Sequence, residues 1–178
     1  RPDFLKAIAE TPDGQPVAVI AEFKQASPSR GVIAQGLKPE DVAEQYAAAG
    51  ASCISVLTEE RFFGGRIGYL ERMHRTGVPM LRKDFIFHQL QVMETASTPA
   101  SALLLIVRLT PDARELRVLR EQAEAYGMQA VVEIFDEEDL AYLRSKGCFS
   151  EEFLDFLRQF HFTGDIWAVP EGTPIFPG

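Results

Sequence analysis

The residues most able to do chemistry lie in and around the stretch Pro79-Met80-Leu81-Arg82-Lys83-Asp84-Phe85-Ile86. An apolar run suited to a buried strand is interrupted there by three consecutive charges. Alternation along a strand sends Leu81, Lys83 and Phe85 to one face and Arg82 and Asp84 to the other. A lysine set between two large apolar side chains loses water, so its ammonium needs a partner or gives up its proton more readily. Such a lysine suits general-acid or Schiff-base chemistry. The same stretch also reads as a strand end at which Arg82, Lys83 and Asp84 reach solvent, and alone it leaves both readings open. Three other ionisable residues bear on the choice: Glu22 and Lys24 close one apolar run, and Glu133 stands near the end of another.

A scaffold has to bring these residues together. Residues 1–10 read as a short helix with Phe4, Leu5 and Ile8 on one face, and TPDGQP at 11–16 is turn chemistry. Residues 17–24 (VAVIAEFK) read as a strand apolar on both faces, with Glu22 and Lys24 pointing the same way. A loop of small polar residues, QASPSRG at 25–31, follows and suits close approach by a ligand. Helix 39–49 starts with Pro39 at a favoured position, carries Val42, Tyr46 and Ala49 as a stripe, and stops at Gly50. Strand 53–58 (CISVLT), loop 60–65 (ERFFGG) and helix 67–75 lead to the lysine-bearing strand. Helix 89–96, strand 102–107, helix 112–126, strand 129–134 and a helix starting near Asp136 complete the pattern. Five strands alternating with helices predict parallel βα units. Right-handed crossovers place all their C-terminal ends on one side, the reactive rim of a barrel. Glu22, Lys24, Lys83 and Glu133 all fall at such ends, which favours a shared cleft over unrelated solvated charges.

Composition narrows the function classes. A chain of 178 residues fits one ordinary domain, or one and a fragment. Its net charge of −8 argues against a general nucleic-acid binder but not against a small anionic substrate held by a few lysines. No apolar run approaches the roughly 18 residues of a membrane span. No leader pattern is seen, and the start at Arg1 reads as processing or truncation. Cys53 and Cys148 are isolated, as expected of reduced thiols in a cytoplasmic protein. His74, His88 and His161 lack metal-ligand spacing, so no metal site is expected.

Several separated motifs together resemble the indole-3-glycerol phosphate synthase family: IAEFKQASPSRG at 20–31, SVLTEERFFGG at 55–65, LRKDFIF at 81–87, ALLLIV from Ala102 and VVEIFDEEDL at 131–140. The resemblance covers residues 1–140 and implies an incomplete (β/α)₈ barrel of about five parallel units. It implies a small phosphorylated anthranilate-sugar substrate, 1-(2-carboxyphenylamino)-1-deoxyribulose 5-phosphate, and no metal or organic cofactor. Ring closure, decarboxylation and dehydration are the steps implied. Lys83 would protonate the carbonyl oxygen as the ring closes. Lys24 would balance anionic groups or assist loss of the hydroxyl, and Glu133, with Glu22, would remove or relay a proton. Ser27 would orient the substrate. Phe62 and Phe63 would either face the anthranilate ring or anchor their loop by packing.

Past Ala141 the resemblance stops, without counterparts of the sixth to eighth strands and their phosphate contacts, so impaired activity is expected. The segment from 137 to 178 resembles an early part of nicotinate phosphoribosyltransferase and carries no catalytic residue of that enzyme. The chain therefore reads as a chimera joined within EEDLA at 137–141, with a tail at 141–178. In that tail Ser150 is expected to cap a helix with Phe153, Leu154, Leu157 and Phe160 as its apolar stripe, before a short strand at 166–169. Five open strands leave two unpaired edges and an apolar inner face. The tail helix would cover that face, or two copies would associate through it. The alternatives to an enzyme are a non-catalytic folded fragment or interaction module, or a fragment of the phosphoribosyltransferase.

Overall fold

The computed structural model describes residues 1–10, 17–33, 36–110, 112–134, 137–147 and 150–159. The elements in order are α1 (Phe4–Ala9), β1 (Ile20–Phe23), β2 (Ala26–Ser27), β3 (Gly31–Val32), α2 (Pro39–Ala48), β4 (Cys53–Leu57), α3 (Gly68–Met73), β5 (Met80–Lys83), α4 (Gln89–Ala96), β6 (Ala102–Ile106), α5 (Ala113–Ala125), β7 (Gln129–Glu133), α6 (Glu137–Lys146) and α7 (Glu151–Gln159). Five parallel strands form one sheet in the order β1-β4-β5-β6-β7. Each strand thus pairs with its successor in that series, and the order never reverses. With right-handed crossovers, that winding puts every connecting helix on the same side. The architecture is a partial (β/α)₈ barrel, as the sequence predicts. The two-residue strands β2 and β3 form an antiparallel hairpin in the loop after β1, which periodicity did not reveal.

Alternation divides the sheet into two apolar layers. On the helix side, Phe23, Ile54, Val56 and Met80 pack with Val42, Tyr69 and Leu70, while Leu103 and Leu105 pack with Leu116, Leu119 and Ala123. On the inner side, Cys53, Leu81, Ala102 and Leu104 pack around Phe4. Burying each such large side chain contributes about 1.5–3 kcal/mol.

Helix α1 lies across the N-terminal ends of the strands. The Phe4 amide donates to Gln129 Oε1 at the start of β7 (3.3 Å), and the Cys53 thiol at the start of β4 donates to the Phe4 carbonyl (3.8 Å). The Arg1 guanidinium donates to the carbonyls of Tyr126, Thr98 and Ala96, at the C-terminal ends of α5 and α4.

Several local expectations need correction. Leu5 is 61% exposed and does not share the buried face of Phe4, because α1 turns Phe4, Ala7 and Ile8 toward the sheet and Leu5 away from it. Strand β1 is shorter than the apolar run, and Val17, Val19 and Ile20 are well exposed rather than covered on both faces. Val17 and Val19 precede the strand, and Ile20 faces inward at the sheet edge among the described residues, while Phe23 on the helix side is buried. In α2 the buried face is Val42 and Ala43, with Tyr46 packed beside them and Ala49 exposed. Gly50 follows with φ 84°, a left-handed turn that favours glycine.

Helix α7 has the expected start, with the Phe153 amide donating to Ser150 Oγ (3.2 Å). Its anchor is Leu154, which joins Leu140 and Leu143 of α6 and Leu116 of α5 in the helix-side layer. Among the described residues α7 therefore does not cover the inner face, and Phe153 and Phe156 point to solvent. The expected strand at 166–169, along with Phe160 and Cys148, lies outside the described residues.

Candidate functional site

Strand register carries the ionisable residues to one end of the sheet. Glu22 pairs in register with Ser55, Leu57 with Lys83, and Ile106 with Glu133. All six belong to the inner-facing set. The Lys83 ammonium makes an ion pair with Glu22 Oε2 at 2.8 Å. Lys24 Nζ lies 3.6 Å from the other oxygen, Glu22 Oε1, and Ser55 Oγ donates to Oε2 (3.4 Å). Glu22 thus sits between two cations, half-buried, and its own backbone carbonyl accepts from the Tyr46 hydroxyl of α2 (2.9 Å). Burial, and then the neighbouring Glu22 charge, hold the Tyr46 hydroxyl above its ordinary pKa, so it stays a donor.

Beside this cluster is a cleft of about 170 Å³ lined by Leu57, Glu59, Phe63, Lys83, Asp84, Phe85, Leu104, Ile106 and Glu133. Its walls are mostly apolar, with Lys83 and acidic groups at the rim. The Phe63 and Phe85 rings stand with centroids 6.3 Å apart at a tilt of 55°. The loop that carries Phe63 is shaped by Glu59, whose carboxylate accepts the amides of Arg61, Phe62 and Phe63 (2.9, 2.6 and 3.1 Å). Gly65 closes the loop against β4. A Cβ there would collide with the Leu57 carbonyl, so the close approach requires glycine.

Of the residues singled out from sequence, Lys83, Glu133 and Phe63 line the cleft, and Glu22 and Lys24 adjoin it through the ion pairs. Two others do not reach it. Ser27 is buried in β2, where its Oγ meets Ser29 Oγ (3.2 Å) and accepts the Arg30 amide (3.2 Å), so it shapes its own loop. Phe62 is 51% exposed, with the Arg61 guanidinium 5.3 Å from its ring centroid. Adjacent loop residues point apart, and only one of the pair turns inward.

Phe85, Leu104 and Ile106 were not singled out, although alternation from Lys83 and along ALLLIV carried the signal. Glu59 and Asp84 had no such signal, since their roles depend on how the loops fold. The solvent-exposed reading of Arg82 is also overturned, because Arg82 is only 4% exposed, on the helix side of β5. Among the described residues no group of three or more His, Cys, Asp or Glu could hold a metal ion. His88 instead caps α4, its Nδ1 accepting the Leu90 amide (3.2 Å). No helix among them is long and apolar enough to cross a membrane.

Sequential parallel βα units with a paired lysine and carboxylates at the C-terminal strand ends define a section of a (β/α) barrel. The family model for indole-3-glycerol phosphate synthase matches residues 1–146, and the chain belongs to that family. It is similar to the indole-3-glycerol phosphate synthase of Chloroherpeton thalassium, 45% identical over 140 residues, which is 78% of this chain and 53% of that protein. The Campylobacter hominis relative of the same name is 41% identical over 139 residues, 78% of this chain and 52% of its own length. The Shouchella clausii relative is 44% identical over 129 residues, 72% and 50%. The chain spans about half the length of the curated relatives it matches.

Proposed function

We propose that the chain carries the lysine and glutamate part of an indole-3-glycerol phosphate synthase site, acting on 1-(2-carboxyphenylamino)-1-deoxyribulose 5-phosphate. The observation that carries this reading is the Lys83–Glu22 ion pair at the mouth of a cleft walled by Phe63 and Phe85. The glutamate holds the lysine side chain at the cleft mouth, and the aromatic walls suit an anthranilate ring. Lys83 delivers a proton to the ribulose carbonyl oxygen while the ring carbon attacks. Loss of the carboxylate as carbon dioxide and of the hydroxyl as water then restores the aromatic system. Lys24 balances the departing oxygen or the substrate's anionic groups, and Glu133 accepts or relays the proton removed. Ser27 acts, in this reading, by holding the loop after β1. No metal or organic cofactor is invoked.

The test is indole-ring fluorescence after mixing the full chain with substrate, set against Lys83→Ala. A signal from the parent chain that the variant loses supports the reading, and equal signals remove Lys83 from the chemistry. Isothermal titration with the substrate addresses a second reading, a folded but non-catalytic fragment. Ile20, 46% exposed on the inner face of β1, favours that second reading, because the inner layer is open at the sheet edge among the described residues. Absence of binding heat would establish it. The same open edges support self-association, which a sedimentation run showing a clean monomer would exclude.

We further propose a cytoplasmic location, from the isolated reduced cysteines. The tail at 141–178, resembling a segment of nicotinate phosphoribosyltransferase, is proposed as foreign to the barrel, making the chain a chimera. Sequencing genomic DNA across the codons for 137–141 tests the chimera, and an interrupted reading there would end it.

A further inference from the structure

A buried polar network backs the cleft on the helix side of β5. Arg82 Nε donates to Thr58 Oγ1 (3.1 Å), and Nη1 to Thr95 Oγ1 (2.9 Å) and the Gln91 carbonyl (3.3 Å). Nη1 also pairs with Glu94 Oε2 (2.8 Å), and Nη2 with Asp84 Oδ2 (3.0 Å). The Thr58 hydroxyl donates to the same Asp84 oxygen (2.6 Å), while Asp84 Oδ1 accepts the Phe85 amide (2.8 Å). Both oxygens of a carboxylate on the cleft wall are thus engaged by groups other than Lys83, its immediate neighbour in the chain. The Thr58 amide meanwhile donates to the Lys83 carbonyl (3.1 Å), fixing the backbone from which that side chain projects.

We infer that Arg82 and Thr58 are positioning residues, which hold the Asp84 carboxylate toward the helix layer so that Lys83 is paired by Glu22 and the Phe85 amide is pinned at the cleft wall. The inference rests on the proposed role of Lys83. A planar guanidinium can serve Thr58, Thr95, Glu94 and Asp84 together, which an ammonium on the same strand could not. Without Arg82, Asp84 becomes a half-buried anion with one missing partner and a cation one residue away. It then competes with Glu22 for Lys83. A network serving stability alone would loosen β5 whether or not residue 84 carried a charge.

The chain has five lysines, Lys6, Lys24, Lys38, Lys83 and Lys146, so carbon-13 dimethylation of the full chain gives a small set of N-methyl resonances. Lys83→Arg assigns the Lys83 resonance, and Glu22→Gln fixes the direction in which it moves when the Glu22 pair is lost. Arg82→Met is expected to move it in that direction, and adding Asp84→Asn is expected to return it. An unmoved resonance in Arg82→Met, or the same displacement in the double variant, would overturn the inference. Should Arg82→Met fail to fold, Thr58→Val removes one Asp84 donor without changing charge. It is expected to displace the Lys83 resonance in the same direction, and an unchanged resonance overturns the inference equally. No substrate enters this measurement, so a chain without turnover still decides it.

Discussion

Replacing Phe4 by alanine tests whether the inner layer of this open sheet depends on α1. Phe4 is 2% exposed and is the buried residue of its helix, packed on Cys53, Leu81, Ala102 and Leu104. Truncating a buried phenylalanine costs about 3–5 kcal/mol through lost transfer energy and the cavity left behind. That is a large share of the roughly 5–15 kcal/mol that holds an ordinary domain together. Leu5, one residue on and 61% exposed, is the internal control, with an expected effect within about 0.5 kcal/mol. Urea unfolding followed by circular dichroism gives both values. A second readout is local: the Cys53 thiol is fully buried and bonded to the Phe4 carbonyl, so it reports undocking of α1. If opening there becomes easier by the full cost, thiol alkylation accelerates by roughly two to three and a half powers of ten, at about 1.4 kcal/mol per tenfold. A Cys148→Ser background keeps the second thiol silent. Equal destabilisation by Phe4→Ala and Leu5→Ala, or a Cys53 thiol that stays protected in Phe4→Ala, would refute the account of α1 as the floor of the inner layer.

Two further outcomes follow from burial. Desolvation raises the Cys53 thiol from an ordinary 9.0 to about 11, so the native state holds this proton more tightly than the unfolded chain. Its contribution is complete below pH 9.0 and is lost as pH climbs through about 11, some 2–3 kcal/mol in all. The difference in unfolding free energy between the parent and Cys53→Ala, measured at about pH 8 and about pH 10.5, should shrink accordingly; a constant difference would refute the assignment. In α7, Leu154→Ala should cost about 2–5 kcal/mol in thermal unfolding, and Phe156→Ala, 58% exposed, within about 0.5 kcal/mol. Similar effects from both would mean that α7 is not anchored on the helix-side layer by Leu154.

The parallel βα pattern was legible because each strand is a short apolar run between amphipathic helices, and that pattern needs only local alternation and period. Glu22, Lys83 and Glu133 were legible for a related reason: position along a parallel strand fixes which end of the sheet a residue reaches. Exposure was less legible. Ile20 and Ile54 look alike in sequence, yet one is 46% exposed and the other fully buried. Ile54 lies on the helix-covered face of an inner strand, whereas Ile20 faces inward on a strand at the sheet edge among the described residues, a placement no local pattern encodes. Loop residues were hardest, since Phe62 and Phe63 differ in direction only once Glu59 has gathered three consecutive amides.

The three charges Arg82, Lys83 and Asp84 show why a charged strand end is not one feature but two. Alternation places Lys83 on the inner face, where Glu22 from a strand two positions away in the sheet meets it. The same alternation sends Arg82 into the helix layer, where it must be fully paired because a buried guanidinium without partners would cost several kcal/mol. Asp84 lies past the end of β5, where strand alternation no longer holds, so one carboxylate can both serve that buried cation and border the cleft. The polar groups behind the sheet and the lysine in front of it are therefore coupled through the backbone of two successive residues. Substitutions on the helix side of β5 should reach the cleft by that route without any change to the residues that line it.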